Sequence, residues 1–134
     1  MEGGMAGDCG FCRLSENPHQ KIILRRHTVL FLQNEKEQGA LVGSGVIIPL
    51  RHAETVFELT PEEIVATFAL LNDVKEWMDE RFHPDGYNVG WNCSAVGGQT
   101  AMHAHMHVIP RFRQEPYAGR GIRYWLKQPA NRWW

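Results

Sequence analysis

The chain has 134 residues, 43% of them apolar and 22% charged, with a net charge of -1 when histidine is neutral. That is the size and balance of one soluble globular core. It excludes a molecule that coats nucleic acid by bulk charge, and no apolar run reaches the roughly 20 residues that a membrane span needs.

Met1 to Asp8 is Gly-rich and lacks the charged and apolar regions of a secretory leader, so it reads as a flexible lead-in and the expected location is cytoplasmic. Residues 9–134 then read as a single domain. In a reducing compartment, Cys9-Gly10-Phe11-Cys12 is more naturally a metal or redox element than part of a disulfide framework. Lys21–Arg25 and Thr28–Leu32 are rich in β-branched and large apolar residues and predict two strands. A polar loop opens at Asn34–Gln38 and ends in Gly43-Ser44-Gly45. Val46-Ile47-Ile48 predicts a central strand stopped by Pro49.

The clearest helix follows. Thr60 caps it, Pro61 takes its first position and Glu63 completes a capping box. Ile64, Phe68, Leu71, Val74 and Met78 recur at helical spacing and are expected to pack on a sheet. Pro84-Asp85-Gly86 reads as a turn, Tyr87–Trp91 as a fourth strand and His103–Ile109 as a fifth, ended by Pro110. Strands joined by short loops around one long helix predict an α+β fold with a mostly antiparallel sheet. From Arg111 to Trp134 there are six basic residues against one acid, interleaved with aromatics. Within this basic and aromatic segment, 111–134, Gly119–Trp125 is expected to pack as a strand or arm on a second protomer, with a substrate role open for Arg123 or Trp125.

The chemistry concentrates in His103-Ala104-His105-Met106-His107-Val108-Ile109. On a strand, alternate side chains share a face, so the three histidines stand about 6.6 Å apart while Ala104, Met106 and Val108 enter the core. Three buried imidazoles would each need a partner, which a merely structural role does not supply. Two chemistries fit. A neutral imidazole, with an ordinary pKa of about 6.5, can attack phosphorus. Alternatively, all three rings can converge on zinc, with one position left for water. Upstream, Gly97-Gly98-Gln99-Thr100 permits close backbone approach, presents amides to an anion and adds a hydroxyl, which favours phosphate.

Gly98-Gln99-Thr100, the His103–Ile109 run and Pro110-Arg111 together resemble the signature of the histidine triad (HIT) family. The resemblance extends back through Asn92, Val46–Pro49 and His52 to Cys9 and Cys12. It implies a HIT-like α+β fold: a five-stranded antiparallel sheet, one long helix, a short helix, and a homodimer in the Hint branch. It implies hydrolases and transferases acting at the α-phosphate of nucleotides. By position, His105 would be the nucleophile and would form a nucleotidyl-histidine intermediate. His103 and His107 would flank it, with His107 holding the phosphate or its surroundings. Thr100 and Gln99 would lie near the phosphate and leaving group, with Gly98 beside them, and Asn92 near phosphate or ribose. No metal is expected at phosphorus.

The chain departs from the family pattern at Ser44. Many members place another histidine there to assist proton handling, and a serine can still offer a hydrogen bond to the phosphate site. The family's ribose-binding acid has no clear counterpart, with Asn34 and Glu35 the candidates. Some bacterial members bind structural zinc through two cysteines, a histidine at the position of His52 and the first triad histidine. The resemblance therefore implies a Cys9, Cys12, His52, His103 zinc set, with His103 a ligand and His105 left to the chemistry. The expectation is a nucleotide hydrolase, a phosphoramidase or dinucleoside polyphosphate hydrolase, or else a transferase. Its rivals are a zinc hydrolase using all three strand histidines and a nucleotide-binding protein with little turnover.

Overall fold

The computed structural model describes residues 9–134; the expectation of a flexible lead-in over residues 1–8 lies outside the described residues. Five strands form one sheet: β1 (Gln20–Arg26), β2 (Val29–Asn34), β3 (Gly45–Pro49), β4 (Gly86–Trp91) and β5 (Met106–Arg111). Their order is β1-β2-β3-β5-β4 and every neighbouring pair is antiparallel, the arrangement expected from sequence.

The long helix α1 (Pro61–Phe82) begins at the predicted cap. Thr60 accepts from the Glu63 backbone and the Glu63 side chain accepts from the Thr60 backbone, so two free amides at the helix start are satisfied reciprocally. The helix buries Ala66, Leu70, Val74 and Met78 against Val29, Phe31, Ile47, Met106 and Val108. The predicted stripe is therefore corrected. Val74 and Met78 face the sheet, but Ile64 and Phe68 are 39% and 49% exposed, and Leu71 is only half-buried. Apolar residues occur on two adjoining faces of α1. The face that packs includes Glu63, held by the cap, and Thr67, whose hydroxyl donates to the Glu63 carbonyl at 2.7 Å.

The other face of the sheet carries Leu30, Leu32 and Ile48, covered by Phe11 and Leu14 from the N-terminal segment. β2 is thus apolar on both faces, which accounts for its unbroken apolar run.

Both prolines expected to stop strands sit inside them. Pro49 closes β3, and Pro110 pairs with Tyr87 in β5. The β3–β5 ladder runs only from Gly45 opposite Val108 to Ile47 opposite Met106, so each proline lies where one side of its strand has no ladder to donate to.

The strand predicted for His103–Ile109 is also corrected, because only His107 of the three histidines lies on β5. Before Met106 the chain leaves the ladder: the Ala104 amide donates to the Ala53 carbonyl at 2.6 Å, and Ala104 joins a small cluster with Ala53 and Leu59. The C-terminal segment forms no strand but a short helix, α2 (Ile122–Leu126). Among the described residues, no helix is long and apolar enough to cross a membrane.

Candidate functional site

Two centres meet at the segment that carries His103 and His105. The first joins three parts of the chain. Cys9 and Cys12 come from the N-terminal turn, His52 from the loop after β3, and His103 from the approach to β5. One donor atom from each lies within 4.8 Å of every other, so the quartet can hold a metal ion. The orientation of His103 is fixed by the backbone. Its Nε2 lies 2.8 Å from the Pro49 carbonyl, an acceptor only, so Nε2 carries the proton. Nδ1 is then left as a lone pair facing the sulfurs of Cys9 and Cys12 at 3.3 and 3.5 Å. A ring nitrogen donating to a carbonyl while the other faces a metal is the usual arrangement of a histidine ligand.

His52 Nδ1 lies 3.3 Å from the Cys12 sulfur. The Cys12 thiol is pushed up to about 11 by desolvation, then by the hydrogen bond and charge of Cys9. A thiol held protonated in this way is what a dication reverses. The donors fit a closed tetrahedral set of the zinc type. Because both His103 nitrogens are committed here, the three histidines do not converge on a shared metal, and the quartet is the one candidate cluster among the described residues.

The second centre is His105 with His107. The His105 Nδ1 sits 2.8 Å from the His103 carbonyl, so Nδ1 donates and Nε2 keeps a lone pair. Burial pushes the His105 imidazole below its ordinary value, opposed by that backbone bond. His107 is lowered by burial and then by His105, and His103 by burial, against the Pro49 bond. All three rings are therefore neutral at neutral pH. His105 and His107 stack edge to face at 4.9 Å, and Phe11 caps both His103 and His105, at 5.7 and 5.5 Å.

His105 and His107 open into a cavity of about 300 Å³. Ser44 and Thr100 line it, together with Phe11, Leu32, Asn34 and Glu37. Its walls combine an aromatic ring and aliphatic side chains with a few oxygens, the usual make-up of a small-ligand site. A second cavity, of about 510 Å³, lies on the other side of His107 and includes Asn92.

The sequence-predicted residues divide accordingly. Ser44, Thr100, His105 and His107 share the smaller cavity, while Asn92 reaches only the larger one. Gln99 is buried and lines neither. Its oxygen accepts from the Ser94 amide at 2.7 Å, and its nitrogen donates to the carbonyls of Glu54 and Ala101 at 2.6 and 2.9 Å. It is a brace for the loop before His103. Gly98 closes the preceding turn at φ +98°, a conformation that favours glycine, and its carbonyl accepts from Asn92. Of the ribose candidates, Asn34 lines the cavity, whereas Glu35 pairs with Lys21 at 3.1 Å.

Phe11 and Glu37 escaped sequence reasoning, because nothing in their spacing marks them. Phe11 stood in plain view between the two cysteines. In the C-terminal segment, Arg120, Ile122 and Trp125 line the larger cavity of their own chain.

Comparison with known proteins places this geometry. The HIT domain model matches residues 15–114. Protein hit of Bacillus subtilis is 30% identical over 109 residues, covering 80% of this chain and 73% of that one. Adenosine 5'-monophosphoramidase hnt1 of Schizosaccharomyces pombe is 30% identical over 125 residues, 92% and 86% of the two chains. The asymmetrical bis(5'-nucleosyl)-tetraphosphatase of the same yeast is 32% identical over 71 residues, 53% of this chain and 39% of that enzyme. Among solved structures, a Bacillus anthracis HIT family protein superposes with a TM-score of 0.72 at 27% identity, covering 82% and 77%. A Zn-bound histidine triad family protein from Mycobacterium smegmatis gives 0.71 at 23%, covering 87% and 84%, and so shares the fold. With its antiparallel sheet, its long helix and a family match running from before β1 to beyond β5, the chain belongs to the HIT domain family.

Proposed function

We propose that the chain is a nucleotide hydrolase, or a nucleotidyl transferase, that acts at an α-phosphate through a covalent intermediate on His105. The observation that carries this reading is the 2.8 Å bond from His105 Nδ1 to the His103 carbonyl, beside a cavity shared with Thr100 and Ser44. It leaves Nε2 as a neutral nucleophile with a fixed tautomer. Nε2 donates its pair to the α-phosphorus as the bond to the leaving group breaks, and the leaving group takes that bonding pair. Water then bonds to phosphorus, the N–P pair returns to Nε2, and a proton from the water passes to solvent. The products are a nucleoside monophosphate and the leaving group.

In this reading His107 and Thr100 hold the phosphate, and the loop of Gly98 and Gln99 shapes the approach. Asn92 contacts the leaving side. The substrates are nucleoside phosphoramidates or dinucleoside polyphosphates, the classes named by the two yeast relatives. Zinc is the proposed occupant of the Cys9, Cys12, His52, His103 set, supported by the donor chemistry and by the Zn-bound relative of the same fold. It would tie the N-terminal turn to the catalytic segment and stand clear of phosphorus. A homodimer and a cytoplasmic location complete the proposal.

The test is nucleoside monophosphate release from a panel of adenosine and guanosine substrates of both classes, with EDTA present. Wild type turns over, and His105→Asn loses activity by about 10³-fold or more, because the nucleophile acts as part of a unit. Equal rates in the two proteins sink the covalent reading. A second reading, a binding protein with little turnover, is favoured by Ser44, which lines the site where many relatives carry a histidine. It predicts nucleotide binding with almost no product from either protein.

A further inference from the structure

Phe11 belongs to both centres. It stands between the two cysteines in the chain, and its ring lies against His103 and His105 while lining the smaller cavity of about 300 Å³. Little else holds it there. Among the described residues, the backbone hydrogen bonds of residues 9–17 stay local: Cys12 and Arg13 donate to the Cys9 carbonyl, Glu16 to that of Arg13 and Asn17 to that of Leu14, and Asn17 accepts from Gln20. The ion pair of Arg13 with Glu16, at 3.8 Å, is also internal to the segment. From residue 10 to residue 18 no residue is fully buried, which marks a segment that opens locally.

Two kinds of contact dock this turn on the domain. Phe11 and Leu14 pack on Leu30, Leu32 and Ile48. The Cys9 and Cys12 sulfurs face His103 Nδ1 at 3.3 and 3.5 Å, and Cys12 faces His52 Nδ1 at 3.3 Å. A thiol is a weak hydrogen-bond partner, whereas ligand bonds to a dication are strong enough to drive folding. Such bonds would fasten the turn on both sides of Phe11. The metal set and the wall of the cavity are thus one mechanical unit.

Resting on the hydrolase reading and on the zinc assigned to the quartet above, we propose that Phe11 is a positioning residue through which the metal sets the nucleotide affinity of the smaller cavity. With the quartet loaded, the turn is locked and the ring completes the wall beside His105. Without metal, apolar packing and weak thiol contacts hold the segment, and part of the nucleotide's binding free energy goes into ordering it. The coupling is reciprocal: nucleotide tightens zinc by the factor by which zinc tightens nucleotide.

The experiment reads binding, not turnover. AMP is titrated into zinc-loaded and metal-free wild type, and zinc affinity is measured by competition with a chromophoric chelator, with and without saturating AMP. AMP binds at least about fivefold more tightly to the loaded protein, the lower end of the range for coupled sites, and tightens zinc by the same factor. Phe11→Ala still takes up zinc, binds AMP as metal-free wild type does, and shows both factors reduced to within about twofold. Phe11→Tyr keeps them. Far-ultraviolet circular dichroism checks that each metal-free protein is folded. Equal AMP constants for loaded and metal-free wild type, or no uptake of zinc, overturn the coupling and leave the hydrolase reading standing. Undiminished coupling in Phe11→Ala assigns it to folding of the chain as a whole and overturns the part given to this ring. AMP binding in Phe11→Ala far below that of metal-free wild type makes the ring a contact alone, with the same result. Zinc-loaded wild type that binds no AMP overturns the hydrolase reading as well.

Discussion

His103 and His105 are two residues apart yet have different environments, because each ring is oriented by a different carbonyl. Pro49 takes the Nε2 proton of His103 and turns its Nδ1 to the thiols, while the His103 carbonyl takes the Nδ1 proton of His105 and frees its Nε2. Both imidazoles share the same alternation in sequence, and only the backbone separates the proposed ligand from the proposed nucleophile. At this scale the metal proposal is directly measurable. Purified protein should carry about one zinc per chain by elemental analysis. Cys12→Ser should lower zinc affinity by at least about 10–100-fold, the loss seen when even an outer-shell partner is removed. Its melting temperature should fall, and chelation should lower that of wild type. Stoichiometric zinc in the variant, or none in wild type prepared with zinc, would count against the assignment.

The start of α1 shows how elements convert local rules into stability. Glu63 is held below the ordinary carboxylate range first by Arg51, at 2.9 and 3.0 Å, and by its capping bonds, against the cost of burial. A depressed carboxylate contributes stability that is present above its unfolded value of about 4.5 and is lost as pH falls through the folded value. Thermal melts of Glu63→Gln should therefore lie below wild type at pH 7, by about 1 kcal/mol for a weakened cap. The gap should close as pH drops below about 4.5. A gap that persists at pH 3 would assign the effect to packing.

The same element marks how far sequence could be read. Thr60, Pro61 and Glu63 announced the helix start because capping is local chemistry. The buried face was misjudged because Ile64 and Phe68 fit the 3.6-residue period as well as Leu70 does, and only the sheet beneath decides between them. Likewise, the motif located His105 and His107, which share the smaller cavity. The departure of His103 and His105 from β5 was not legible, since it depends on Ala53 and Pro49, some fifty residues earlier in the chain.

For the whole molecule, the unpacked side of α1 is the feature left over. Val65 is 70% exposed and lies beside Ile64 and Phe68, and Val89 on edge strand β4 is 47% exposed. Apolar side chains gathered on one helix flank mark a surface that associates, and so does an unpaired strand edge. Light scattering should give the mass of two chains at micromolar concentration. Phe68→Glu should shift it toward one chain while leaving the far-ultraviolet circular dichroism unchanged. A monomeric wild type would remove the homodimer from the proposal.

The bond from His105 to the His103 carbonyl has an evolutionary consequence. A carbonyl belongs to every amino acid, so selection on the tautomer of His105 acts on the path of the chain at position 103 and is blind to the side chain there. A lineage can lose Cys9 and Cys12 and replace His103 outright, and still inherit a position-105 imidazole set in the same state. Descent can therefore preserve the state of that ring while the cluster beside it comes and goes.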